Sequence, residues 1–140
     1  MSSDLTESEL EALRDVFEMA RTGELSRIRE LVQAGLPVNL TNGAGDTLLM
    51  LAAYHRHPEL VAALLDWGAD TSRVNDRGQT ALGAAVFRQS TASVEALLRA
   101  GADPSLGPRS ALEVAEVFEL PDMLALLTRP QHDLGGSRGD

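Results

Sequence analysis

The sequence predicts an all-α fold, a solenoid of stacked helix-turn-helix units joined by hairpin-like loops. Three observations predict it: an internal period that carries Gly35 to Gly68 and on to Gly101, short apolar runs at helical spacing inside each period, and turn-forming residues between the runs. The three glycines are equally spaced, and the same step separates Thr47 from Thr80, Leu49 from Leu82, and Ala52 from Ala85. Leu31, Leu64 and Leu97 repeat in the same register, with Val32, Leu65 and Leu98 beside them.

Each element has a local reason. Residues 1–7 are expected to be a flexible N-terminus. Thr6 and Glu9 have the spacing of a capping box that would start a helix near Glu7. Leu10, Leu13, Phe17 and Ala20 recur on one face of that helix, which Thr22-Gly23 should end. A second helix over 25–34 would turn Leu25, Ile28, Leu31 and Val32 inward and stop at Gly35, where a left-handed residue terminates it. The polar segment 36–46 carries the turn signal Asn42-Gly43, and Thr47 stands where the next helix needs an N-cap.

The pair then repeats. Helical runs at 48–55 and 58–67 flank the turn His-Arg-His-Pro, and Gly68-Ala69-Asp70 closes the unit. The next unit repeats it after the turn Asp76-Arg77-Gly78, with Thr80 as cap and Gly101-Ala102-Asp103 as close. A fourth unit opens at 109–115 after a loop three residues shorter, and 121–127 echoes 58–64. Apart from the first helix, these runs fall short of the ~12–15 residues at which an isolated helix holds. Stacking of neighbours must stabilise them. The tail 129–140 is expected to be disordered.

Composition narrows the function. A chain of 140 residues, 44% hydrophobic and 24% charged, suits one globular domain. It has no cysteine, which excludes disulfides, thiol catalysis and cysteine metal sites. The formal net charge of -9 argues against nucleic acid, whose phosphates it would repel. No apolar run approaches the roughly 20 residues of a membrane span. The acidic N-terminus is unlike a secretory signal, so a cytoplasmic location is expected. All twelve basic residues are arginine, a trait of GC-rich bacterial coding sequences.

Gly45-Asp46-Thr47-Leu48-Leu49-Met50-Leu51-Ala52-Ala53 resembles the hallmark of the ankyrin repeat, with Leu48 and Met50 for the usual Pro and His. Gly78-Gln79-Thr80-Ala81-Leu82-Gly83-Ala84-Ala85 departs at the same two places, and both Gly-Ala-Asp closes match. The resemblance implies a repeat domain over 8–128, with approximate repeats at 8–41, 42–74, 75–107 and 108–128. The missing His removes hydrogen bonds between loops, so modest stability is expected.

The resemblance also implies a non-enzymatic module that binds another protein through a concave groove and its hairpin loops. Carried over position by position, the partner-binding residues are Arg21 and Thr22 in the first repeat. In the second they are Ala44, Asp46, Tyr54 and His55, beside Gly43, and in the third Asp76, Arg77, Gln79, Phe87 and Arg88. Tyr54 and Phe87 read equally as contact residues or as spacers between inner helices. A monomer is expected. The acidic net charge predicts steering toward a positively charged partner surface.

No other motif carries chemistry. His55 and His57 form a His-x-His, but no third ligand stands at a recognised spacing, so no metal and no cofactor is expected. The run Gly43-Ala44-Gly45 lacks the Gly that a dinucleotide fingerprint needs at residue 48, which is Leu. No catalytic residue is assigned. The alternative is an accessory protein to a redox or haem enzyme, with a cofactor contact through His55. Trp67, the only tryptophan, either packs over a neighbouring helix end or makes a surface contact.

Overall fold

A computed structural model describes residues 6–129, and among these the chain forms eight helices. They are α1 (Glu7–Thr22), α2 (Leu25–Gln33), α3 (Leu48–Tyr54), α4 (Pro58–Asp66), α5 (Ala81–Phe87), α6 (Thr91–Arg99), α7 (Ala111–Val117) and α8 (Pro121–Thr128). They pair antiparallel as α1–α2, α3–α4, α5–α6 and α7–α8. The odd helices stack in an inner row and the even ones in an outer row. This is the helix-pair solenoid that the period predicts. Among the described residues no strand forms, only single bridges at Thr41–Thr47 and Gln79–Arg109.

The expected caps form. Thr6 and Glu9 close a capping box, so these residues and Glu7 belong to the ordered start of α1 and not to a loose N-terminus. Residues 1–5 and the tail from 130 lie outside the described residues. Thr47, Thr80 and Ser110 cap the inner helices, each accepting a hydrogen bond from the backbone N–H three residues on. Gly35, Gly68 and Gly101 take φ values of 111°, 94° and 95°, and the next amide closes each outer helix by donating to the carbonyl five residues back.

The core is aliphatic and repeats with the period. Leu49, Leu82, Leu64, Leu97, Val61 and Val94 are buried to 1% exposure or less. Ile28 is fully buried, and Leu25, Leu31 and Val32 pack partly buried against the same core. In α1 the expected apolar face holds only over its second half. Val16, Phe17, Met19 and Ala20 are buried, Leu13 is half-buried, and Leu10 is exposed. The reason is length: sixteen residues rise roughly 24 Å, whereas the neighbouring seven-residue α3 rises only about 10 Å. The first turns of α1 therefore project past their neighbour. Trp67, at the end of α4, is half-buried against the core, as its packing reading requires.

Candidate functional site

The groove is built from the C-terminal ends of the inner helices and the hairpins before them. Tyr54 and Phe87 end α3 and α5, and their rings lie parallel, 6.2 Å between centroids and 7° between planes. Phe118 meets the other side of Phe87 edge-on at 5.1 Å, and His55 meets Tyr54 edge-on at 5.1 Å. The guanidinium of Arg88 lies 5.1 Å from the centre of the Tyr54 ring, in cation–π range. Three of the chain's five aromatic residues thus form one continuous row. They are also exposed: Tyr54 40%, Phe87 41%, Phe118 54%. Contiguous exposed rings, unlike single ones scattered over a surface, mark a candidate interaction patch.

Beside this row runs a groove of about 500 Å³. Leu51, Ala84 and Val114, at matching positions of α3, α5 and α7, lie along it with Met50 and Gly83. Ala84 is the smallest side chain of the matched three. The hairpins supply the far wall. Asn75, only 7% exposed, organises it: its Oδ1 accepts from the amides of Arg77 and Gln79, and its Nδ2 donates to Asp46 Oδ1 (2.8 Å) and Gln79 Oε1 (2.9 Å). One buried amide thereby shapes its own turn and ties it to the preceding hairpin.

Seven of the residues carried over from the sequence line the groove together: Arg21, Asp46, Tyr54, His55, Arg77, Gln79 and Phe87. Arg88 joins through Tyr54. Three stand apart. The Thr22 hydroxyl is engaged with Glu24 Oε2 at 2.7 Å, which with Arg27 holds the Glu24 carboxyl below its ordinary pKa. The Ala44 carbonyl accepts from the Asp76 amide (3.0 Å), so these two residues form the seam between hairpins and not the groove wall.

Phe118, Arg109, Val114 and Asn75 line the groove without having been singled out from the sequence. The signal for Phe118 was present. Ser110 takes the capping place of Thr80, and the step from Thr80 to Ser110 also carries Arg88 to Phe118. His55, Arg88 and Phe118 each cap the C-terminus of an inner helix.

The two histidines of the His-x-His separate into different roles. His57 Nε2–H donates to the Arg21 carbonyl at 2.7 Å, a bond that fixes its tautomer because a carbonyl can only accept. Its ring lies flat on Gly23, where an added Cβ would come within 2.5 Å of Nδ1. His57 is therefore a clasp between repeats. Burial, with Arg21, His57 and Arg88 nearby, pushes the His55 pKa below its ordinary value despite Glu18. Among the described residues no group of three metal-ligating side chains occurs. A haem or metal role for His55 gains no support.

The stacked helix pairs and their projecting hairpins define a helical repeat solenoid. Residues 16–107, well over half of the chain, match the family model for ankyrin repeats in three copies, and the chain belongs to the ankyrin repeat family. The fourth pair, α7–α8, lies beyond the matched stretch. A Pseudomonas aeruginosa protein named for ankyrin repeats is 49% identical over 51 residues, 36% of this chain. That match spans 30% of the relative's own length. Ankyrin repeats generally serve as protein–protein interaction modules and are typically non-enzymatic. No helix among the described residues is long and apolar enough to cross a membrane.

Proposed function

We propose that this protein is a non-enzymatic interaction module, a cytoplasmic monomer that binds another protein in the groove between its aromatic row and its hairpin loops. The observation that carries this reading is the exposed row Tyr54–Phe87–Phe118 beside a groove of about 500 Å³. Aromatic and arginine side chains anchor protein interfaces because they offer large contact areas and few rotamers to freeze. The groove floor is apolar and its rim polar, the arrangement expected of an interface centre.

The test is affinity capture from native lysate with the wild-type chain and the Tyr54→Ala/Phe87→Ala double variant in parallel. The reading expects a partner retained by the first and lost by the second, with the melting temperature of the variant close to wild type because both rings are exposed. Equal retention by the two overturns the groove assignment.

A further inference from the structure

We infer that the segment seated in this groove is acidic: an extended peptide carrying carboxylates on both sides of an apolar anchor residue. The inference rests on the groove reading above and adds the chemistry of its occupant.

The charge of the groove opposes the charge of the protein. The whole chain carries -9, yet Arg21, Arg77 and Arg109 line the groove and Arg88 sits at its aromatic wall. Among the described residues, Asp46 is the only carboxylate of the lining, and it already accepts from Asn75. Arg21 pairs with Glu18 at 3.1 Å. Among the described residues, Arg77, Arg88 and Arg109 pair with no carboxylate, although acidic residues outnumber basic ones 21 to 12 in the chain. Elsewhere among the described residues Arg27 pairs with Glu24, Arg73 with Asp70 and Arg129 with Glu95, while Arg14, Arg29, Arg56 and Arg99 form no ion pair; what sets the groove apart is that its guanidinium groups gather in one place.

Unpaired guanidinium groups gathered at one groove are complementary to carboxylates, which they can take in bidentate fashion. Arg77 and Arg109 come from successive hairpins, so the charge runs parallel to the ring row and suits a chain laid along it. An apolar side chain between carboxylates would enter over Ala84, the smallest of the three matched residues along the groove. Net charge alone pointed to a basic partner surface; the local distribution points the other way. Arginines beside stacked rings also suit single-stranded nucleic acid. The acidic body of the protein, with Glu7, Glu9, Glu11, Asp15 and Glu18 along α1, would repel its phosphates, and a protein segment is favoured.

The experiment is fluorescence anisotropy on the full chain with labelled peptides of one length. All carry the same central Phe-Leu, flanked in turn by Glu, Gln or Lys, and labelled oligothymidylate is run beside them. The expected order is Glu peptide tightest and Lys peptide weakest, with affinity for the Glu peptide falling as salt rises. Arg77→Gln and Arg109→Gln should each weaken the Glu peptide about two- to fivefold, leave the Gln peptide unchanged, and melt like wild type. Binding of the Gln or Lys peptide as tight as the Glu peptide, no binding by any peptide, or tighter binding of oligothymidylate overturns the inference.

The groove assignment is read separately. An affinity lost in Tyr54→Ala/Phe87→Ala but untouched by both arginine variants keeps the groove and overturns the acidic occupant. An acidic preference that only the arginine variants abolish, with the ring variant still binding like wild type, overturns the groove and with it the occupant seated there.

Discussion

The side-chain amide of Asn75 joins two repeats, donating from Nδ2 to Asp46 Oδ1 at 2.8 Å while its Oδ1 accepts two amides of its own turn. Asn75 is 7% exposed, so water can replace few of these bonds if the amide is removed. Asn75→Ala is expected to cost about 2–3 kcal/mol, the loss of several hydrogen bonds with buried partners left unpaired. Thermal unfolding measures it directly. A variant as stable as wild type would mean that the hairpins are held by their backbone alone.

Three side chains sit where glycine would fit better. Arg56, Gln89 and Glu119 take φ values of 63°, 55° and 55°, each one residue past an inner-helix cap. A left-handed residue with a Cβ is strained by roughly 1–2 kcal/mol, and glycine loses roughly half of that again through its freer unfolded chain. Arg56→Gly, Gln89→Gly and Glu119→Gly should each stabilise by about 0.5–1 kcal/mol, read as a higher urea midpoint.

The outer-helix leucines carry the opposite expectation. Leu64 and Leu97 are fully buried at matching positions of α4 and α6. Leu64→Ala or Leu97→Ala should cost about 2–5 kcal/mol, because each leaves a cavity that neighbouring helices can only partly fill. Calorimetry or denaturant unfolding checks both.

Filling the groove tests it differently from emptying its wall. Ala84→Leu places a branched side chain at the smallest of the matched positions, between Leu51 and Val114. Partner retention should fall by on the order of tenfold, with only a modest drop in melting temperature because Ala84 is partly and not fully buried.

Acid should destabilise the fold in two windows. His55 has a folded pKa below its unfolded value, mainly from burial and from Arg21. As pH falls through about 6.5, the unfolded chain takes up a proton that the folded one resists, so stability declines until the folded pKa is passed. Asp70 and Asp103 act lower. Hydrogen bonds from the Ser72 hydroxyl and amide hold the first carboxyl below its ordinary value, and bonds from the Ser105 amide and hydroxyl hold the second. Their stabilisation is complete above about pH 4 and is lost as pH falls through their folded values. His55→Gln should remove the upper window and leave the lower one, as followed by melting temperature against pH.

The scaffold was legible because it is periodic. The step from Gly35 to Gly68 also brings Thr47 onto Thr80 and Leu64 onto Leu97, and each pair took the same structural role. The groove was legible only as far as that step held. Three residues are missing between Gly101 and Ser110, so Phe118 falls out of register with Arg88 by simple counting although it occupies the same cap. Asn75 was hidden for another reason: a loop asparagine reads as a turn former, and its bond to Asp46 appears only once the hairpins stack. Net charge says nothing of the groove, because it sums over the whole surface while Arg21, Arg77 and Arg109 gather at one place on it.

The overhang of α1 bears on how the molecule opens. Its first two turns stand beyond α3, with Leu10 exposed and Leu13 only half-buried, whereas Ala52 and Ala85 in the middle of the inner row are fully buried. Amide hydrogen exchange should therefore be graded along the chain. Amides of Ala12 to Arg14 would exchange through local fraying, on a faster clock than the rest of α1. Those of Ala52 and Ala85 would exchange only when the stack as a whole comes apart.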